Sequence, residues 1–88
     1  MTENHNEKQK LNVEIFGQKY TFRASAEERQ KLLSVAGHVD AMMHRIGDGQ
    51  TKLDYRDIAV LAAMNIAEEY YQLQADYQAL IDMIDEEK

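Results

Sequence analysis

The stretch DYRDIAVLAAMNIAEEYYQLQADYQALIDMIDEEK, residues 54–88, decides how the rest of this sequence is read. It holds no proline and no glycine and consists mostly of residues that favour or tolerate a helix, so it predicts one long helix. Asp54 is placed to cap its start, Asp57 puts negative charge in its first turn, and Leu53 and Ile58 occupy the N′ and N4 positions of a hydrophobic staple. Steps of four and three collect Ala59, Ala63, Ile66, Tyr70, Leu73, Tyr77, Leu80 and Ile84, an apolar row at heptad spacing that seeks another helix. These eight are the candidate oligomer-interface residues.

The helix changes character along its length. Within residues 58–67 only Asn65 is polar, so this part has no solvated face and is expected in a core. Beyond Ala67, Glu68, Glu69, Gln72, Gln74, Asp76, Gln78, Asp82 and Asp85 fill the other positions and leave mainly the seam apolar. At about 1.5 Å per residue the row runs roughly 40 Å, more than the width of so small a domain. The expected division is a polar, disordered tail over residues 1–10, a head over 11–66, and a coiled-coil half of the long helix over 67–88.

Eighty-eight residues make one small domain, which buries too little of itself to be comfortable alone, so an oligomer is expected. Cysteine is absent, which removes disulfides and thiolate zinc sites and fits a reducing compartment. The N-terminus lacks the apolar run of a signal peptide and residues 58–67 are too few to span a bilayer, so the expectation is a soluble, cytoplasmic protein. The net charge of −6 is unevenly placed: residues 1–56 are nearly balanced, whereas residues 57–88 carry eight acids against Lys88 alone. An acidic rod repels nucleic acid and anionic membranes and leaves the mixed head to meet a protein partner.

Ahead of the long helix, LNVEIFGQKYTFRA reads as a hairpin with Gly17-Gln18 as a two-residue turn of type II′. That turn would set Ile15 opposite Tyr20, Val13 opposite Phe22 and Leu11 opposite Ala24 on one apolar face, with Phe16 on the polar face as a candidate contact. Ser25-Ala26-Glu27-Glu28 is a capping box opening a first helix. Its apolar stripe is Leu32, Val35, Ala36, Val39, Met42, Met43 and Ile46, and Gly47-Asp48-Gly49 stops it; Gly37 is read as a tolerated glycine or a close helix crossing. The fold class is therefore α+β and mostly α, in the order strand, strand, helix, helix.

Catalytic signatures are missing: there is no phosphate loop, HExxH or nucleophile elbow. Asp40 and His44 have the spacing of two metal ligands but no third joins them, so neither metal nor cofactor is expected. Adjacent acids such as Glu68-Glu69 point apart on a helix and form no catalytic pair. Tyr70, Tyr71 and Tyr77 lie in a segment without positive charge, which suits a helix interface rather than base stacking.

The hairpin VEIFGQKYTF and the later segment LDYRDIAVLAAMNIAEEYYQL together resemble the ZapA family of bacterial cell-division proteins, from about Val13 to Leu73, with residues 15–17 and 58–67 the most specific parts. The resemblance implies a small head with a long C-terminal helix that forms homodimers and, in some members, homotetramers. It also implies binding to the tubulin-like GTPase FtsZ and bundling or cross-linking of its filaments at the midcell Z-ring, with no enzymatic activity. On that reading the charged head surface carries FtsZ binding, and Arg45, Lys52 and Arg56 around the loop after the first helix are the candidate contacts. Two alternatives remain beside it: a small dimeric DNA-binding regulator of strand-helix-helix type, opposed by the acidic charge, and a generic coiled-coil adaptor with a partner unrelated to division.

Overall fold

The computed structural model describes residues 7–49 and 52–86. Two antiparallel strands, β1 (Gln9–Ile15) and β2 (Gln18–Ala24), are followed by α1 (Ala26–Gly47) and α2 (Tyr55–Glu86). This is the strand-strand-helix-helix, mostly helical order expected. β1 begins at Gln9, so Gln9 and Lys10 of the expected N-terminal tail are strand; residues 1–6 of that tail lie outside the described residues.

The hairpin forms with a turn one residue earlier than expected. Ile15 pairs with Gln18, Val13 with Tyr20 and Leu11 with Phe22. Phe16-Gly17, not Gly17-Gln18, is the two-residue turn, and both residues have positive φ (48° and 78°), the signature of type I′ rather than II′. Partners shift by two residues, so each side chain keeps the face assigned to it, because side-chain direction along a strand repeats every second residue. The consequence falls on Phe16. As a turn residue it leaves the polar face and packs beside Met42, Met43, Ile58 and Ala62, with its ring 4.9 Å from that of His44 and 6.0 Å from that of Tyr55.

Left-handed backbone is costly for a bulky residue, and Phe16 is held in it by two sets of contacts. Its N–H donates to Asp40 Oδ1 at 2.7 Å. Its ring lies against Gly47, where an added Cβ would stand 2.8 Å from both Phe16 Cζ and Ile58 Cδ1. Gly47 is thus the close crossing in α1, whereas Gly37 faces open space.

α1 opens with the expected reciprocal cap: Glu28 N–H donates to Ser25 Oγ at 3.3 Å and Ser25 N–H to Glu28 Oε1 at 3.0 Å. These bonds, with Lys8 and Lys31 nearby, hold the Glu28 carboxyl below its usual range. α2 opens on Asp54, whose Oδ1 accepts the Asp57 N–H at 2.8 Å, while Leu53 packs against the buried cluster that contains Ile58. The buried residues form two small clusters. Leu11, Val13, Ala24 and Ala36 lie between hairpin and α1; Met42, Met43, Ile58 and Ala62 lie between α1 and α2, and Ile15 packs on both. The radius of gyration is 18.1 Å, against about 12 Å for a compact chain of this length. One copy does not close a core around itself.

Candidate interaction surface

The surface is built from α2 outward. Ile58 and Ala62 are buried against α1, and Ala59 and Ile66 are partly covered there. The other sides of the same segment are bare: Val60 is 56% exposed and Met64 58%. The expectation that residues 58–67 are wrapped on all sides is therefore not met within one copy. Val35, assigned to the apolar stripe of α1, is also half exposed.

The eight seam residues form one row on α2. Ala59, Ala63 and Ile66 share a shallow apolar groove with Val39 and Met43 of α1, and Tyr70 sits at its end. From there the row leaves the head: Tyr70, Leu73, Tyr77, Leu80 and Ile84 each remain more than half exposed. On the flanks of this projecting half, Gln72 donates to Asp76 and Gln78 to Asp82, four residues on, at 2.9 and 3.0 Å. Such pairs support an exposed helix, so the half is stiff and its polar sides are satisfied while its apolar row is uncovered. A contiguous exposed apolar strip of this kind marks an interaction site.

Toward the other end of α2, Arg45 lies in the last turn of α1, Lys52 in the connection and Arg56 in the first turn of α2, all exposed. None makes an ion pair among the described residues. Arg45 also borders a groove with Asn65, Glu68, Gln72 and Asp76 of α2. The start of α2 is tied to the hairpin. Tyr55 donates its hydroxyl to the Ile15 carbonyl at 3.4 Å and meets the Tyr20 hydroxyl, tying α2 to both strands beside the Phe16 turn. The hydrogen bond with Tyr20, with some desolvation, pushes the Tyr55 phenol up to about 12. His38 Nε2 lies 2.8 Å from Glu69 Oε1, a second tie between α1 and α2, though a pair this exposed adds only about 0–1 kcal/mol.

His44 stands between Asp40 and Asp48 at 3.4 and 3.2 Å. Asp40 is engaged by the Phe16 amide, and no group of three metal-ligating side chains occurs among the described residues. The joint of Phe16, Asp40, Gly47 and Tyr55 escaped sequence reading, since its members are scattered over forty residues of chain. Its one local signal was glycine at the second central position of a two-residue turn, the type I′ preference.

A family model described as "Cell division protein ZapA" matches residues 11–88. The cell division protein ZapA of Geobacillus kaustophilus (strain HTA426) is 38% identical over 81 residues, covering 92% of this chain and 88% of that one. That of Bacillus subtilis (strain 168) is 37% identical over 73 residues, covering 83% and 85%. Among solved structures, the chain is similar to a ZapA mutant dimer from Geobacillus stearothermophilus, with 38% identity, a TM-score of 0.66 and coverage of 97% and 95%. It is also similar to an unknown conserved bacterial protein from Pseudomonas aeruginosa PAO1, with 25% identity, a TM-score of 0.60 and coverage of 86% and 96%. No helix among the described residues is long and apolar enough to cross a membrane.

Proposed function

Because this chain belongs to the ZapA family of cell division proteins, we propose that it is a non-enzymatic scaffold that binds FtsZ and bundles or cross-links its filaments at the Z-ring. The observation that carries this reading is the apolar row that continues off the head, from Tyr70 to Ile84, on a helix whose flanks are already satisfied. Two copies bury that row against each other as a homodimer, and a pair of dimers extends the same principle to a homotetramer. The description of the Geobacillus stearothermophilus relative as a dimer supports the first.

The mechanism is multivalency. A stiff rod holding two or more heads makes the second head's contact effectively intramolecular, so weak contacts on a repetitive polymer become strong together. The head's contact is assigned to Arg45, Lys52 and Arg56, exposed cations on either side of the α1–α2 connection that make no ion pair among the described residues and meet an acidic patch on the filament. The acidic rod keeps the assembly off nucleic acid and anionic membrane, which favours this reading over a DNA-binding regulator. The protein works in the cytoplasm, at midcell.

Pelleting of assembled FtsZ with and without this protein tests the reading. The expected result is more FtsZ in the low-speed pellet and co-sedimentation of this chain. Arg45→Glu/Lys52→Glu/Arg56→Glu abolishes both while leaving the oligomer intact. Unchanged bundling by that variant would remove the assignment of these three residues, and absence of co-sedimentation by the unaltered chain would remove the function.

A further inference from the structure

The hairpin is a sheet of two strands, so each strand has one side without a neighbour. The type I′ turn bonds Ile15 to Gln18, and bonded and non-bonded pairs then alternate along an antiparallel ladder. The N–H and C=O groups of Lys10, Asn12 and Glu14 therefore point outward from β1, and those of Lys19, Thr21 and Arg23 point outward from β2. Among the described residues, none of these six makes a backbone–backbone bond outside the hairpin. An open row of this kind is a template for another strand.

Charge separates the two edges. Paired antiparallel with itself about Thr21, β2 would set Lys19 opposite Arg23, and like charges directly opposite each other destabilise a sheet. β1 paired with itself about Asn12 sets Lys10 opposite Glu14 twice over, by symmetry. It also corrects a fault in the isolated hairpin, where Lys10 faces Arg23. The added strand supplies a carboxylate on the free side of Lys10. On the other face the same register places Leu11 beside Val13, two residues already buried under α1, so the apolar layer continues without a break.

We infer that the outer edge of β1 is a self-recognition surface: a second copy of this chain adds antiparallel along it, Asn12 against Asn12, making a sheet of four strands in the order β2-β1-β1-β2. The contact is isologous, as a two-fold interface must be. It involves none of the seam residues of α2, so head pairing and rod pairing are separate joints. A chain with both has more ways to link copies than the rod alone provides.

The chain has no cysteine, so a single introduced one reports its own neighbours. Residues opposite each other across such a pair have Cα atoms about 5.5 Å apart, within the range a disulfide spans. Mild oxidation of the full-length Asn12→Cys protein is expected to give mostly covalent dimer on a non-reducing gel, and Thr21→Cys, on the other edge, only background. Equal cross-linking of the two, or none from Asn12→Cys, overturns the proposal. A charge exchange supplies an independent reading. Lys10→Glu alone removes the fault opposite Arg23, so a merely intrachain role predicts a more stable hairpin and unchanged assembly. The proposal predicts loss of Asn12→Cys cross-linking in the Lys10→Glu background and its recovery in Lys10→Glu/Glu14→Lys. Retention of cross-linking in Lys10→Glu contradicts it. Failure of these tests leaves the α2 seam standing, since that is read by the state of Leu73→Glu/Leu80→Glu variants.

Discussion

Gly37 and Gly47 share α1 and answer opposite demands. An alanine at 37 meets open space and gains the helix preference of alanine over glycine, about 1 kcal/mol. An alanine at 47 gains the same preference but drives its methyl to 2.8 Å from Phe16 and Ile58, an overpacking that costs about 1–3 kcal/mol and loosens the turn. Thermal unfolding is therefore expected to rise for Gly37→Ala and to fall for Gly47→Ala. A rise for both would mean that Phe16 is not seated where described. Tyr55 adds a pH signature. Its folded pKa, about 12, lies above the ordinary value of 10, so its protonated form is favoured by the fold; the stabilisation is complete below pH 10 and is lost as pH rises through 12. Melting temperatures are expected to drop more steeply across that window in the unaltered chain than in Tyr55→Phe. Parallel curves would contradict the bond to Tyr20. The tolerance at Gly37 was one of two readings the sequence allowed, whereas the crowding at Gly47 and the bonds of Tyr55 were not legible, because they depend on which of two neighbouring residue pairs makes the turn, and glycine satisfies either.

Elements fared differently because their signals are local. The Ser25 cap needs only Glu28 three residues on, and both bonds of the box are present; the heptad row needs only its own spacing. Ser25→Ala is expected to cost about 1 kcal/mol, visible as a lower unfolding midpoint, and acid titration is expected to lower the midpoint of the unaltered chain as well. The Glu28 carboxyl titrates lower in the fold than in the unfolded chain, so its contribution is present above its ordinary pKa and lost as pH falls through the folded value. No change in midpoint for Ser25→Ala would show that the helix start is held by the hairpin rather than by its cap. The hairpin shows the limit of such reading. The faces of its strand residues came out right, Phe16 apart, and its register did not, because a shift of two residues leaves each strand side chain on the same side.

At the scale of the molecule, the sequence disclosed a surplus of apolar surface but not what covers it. Residues 58–67 are apolar on all sides, yet one copy covers one side only, and the row from Tyr70 to Ile84 lies open. The two clusters of buried side chains are small, and the radius of gyration exceeds that of a compact chain by half. The head cations that we assign to the filament are useful only if the rod brings heads together, so self-association along the α2 seam is the claim on which the rest depends. Sedimentation equilibrium of the full-length chain at micromolar concentration, beside Leu73→Glu/Leu80→Glu, tests it most directly. We expect a dimer or tetramer for the unaltered chain. The variant, with charge placed in a desolvated seam at a cost of several kcal/mol, should sediment as an unstable monomer. A well-folded monomer for the unaltered chain, or an equally stable oligomer for the variant, would contradict the account.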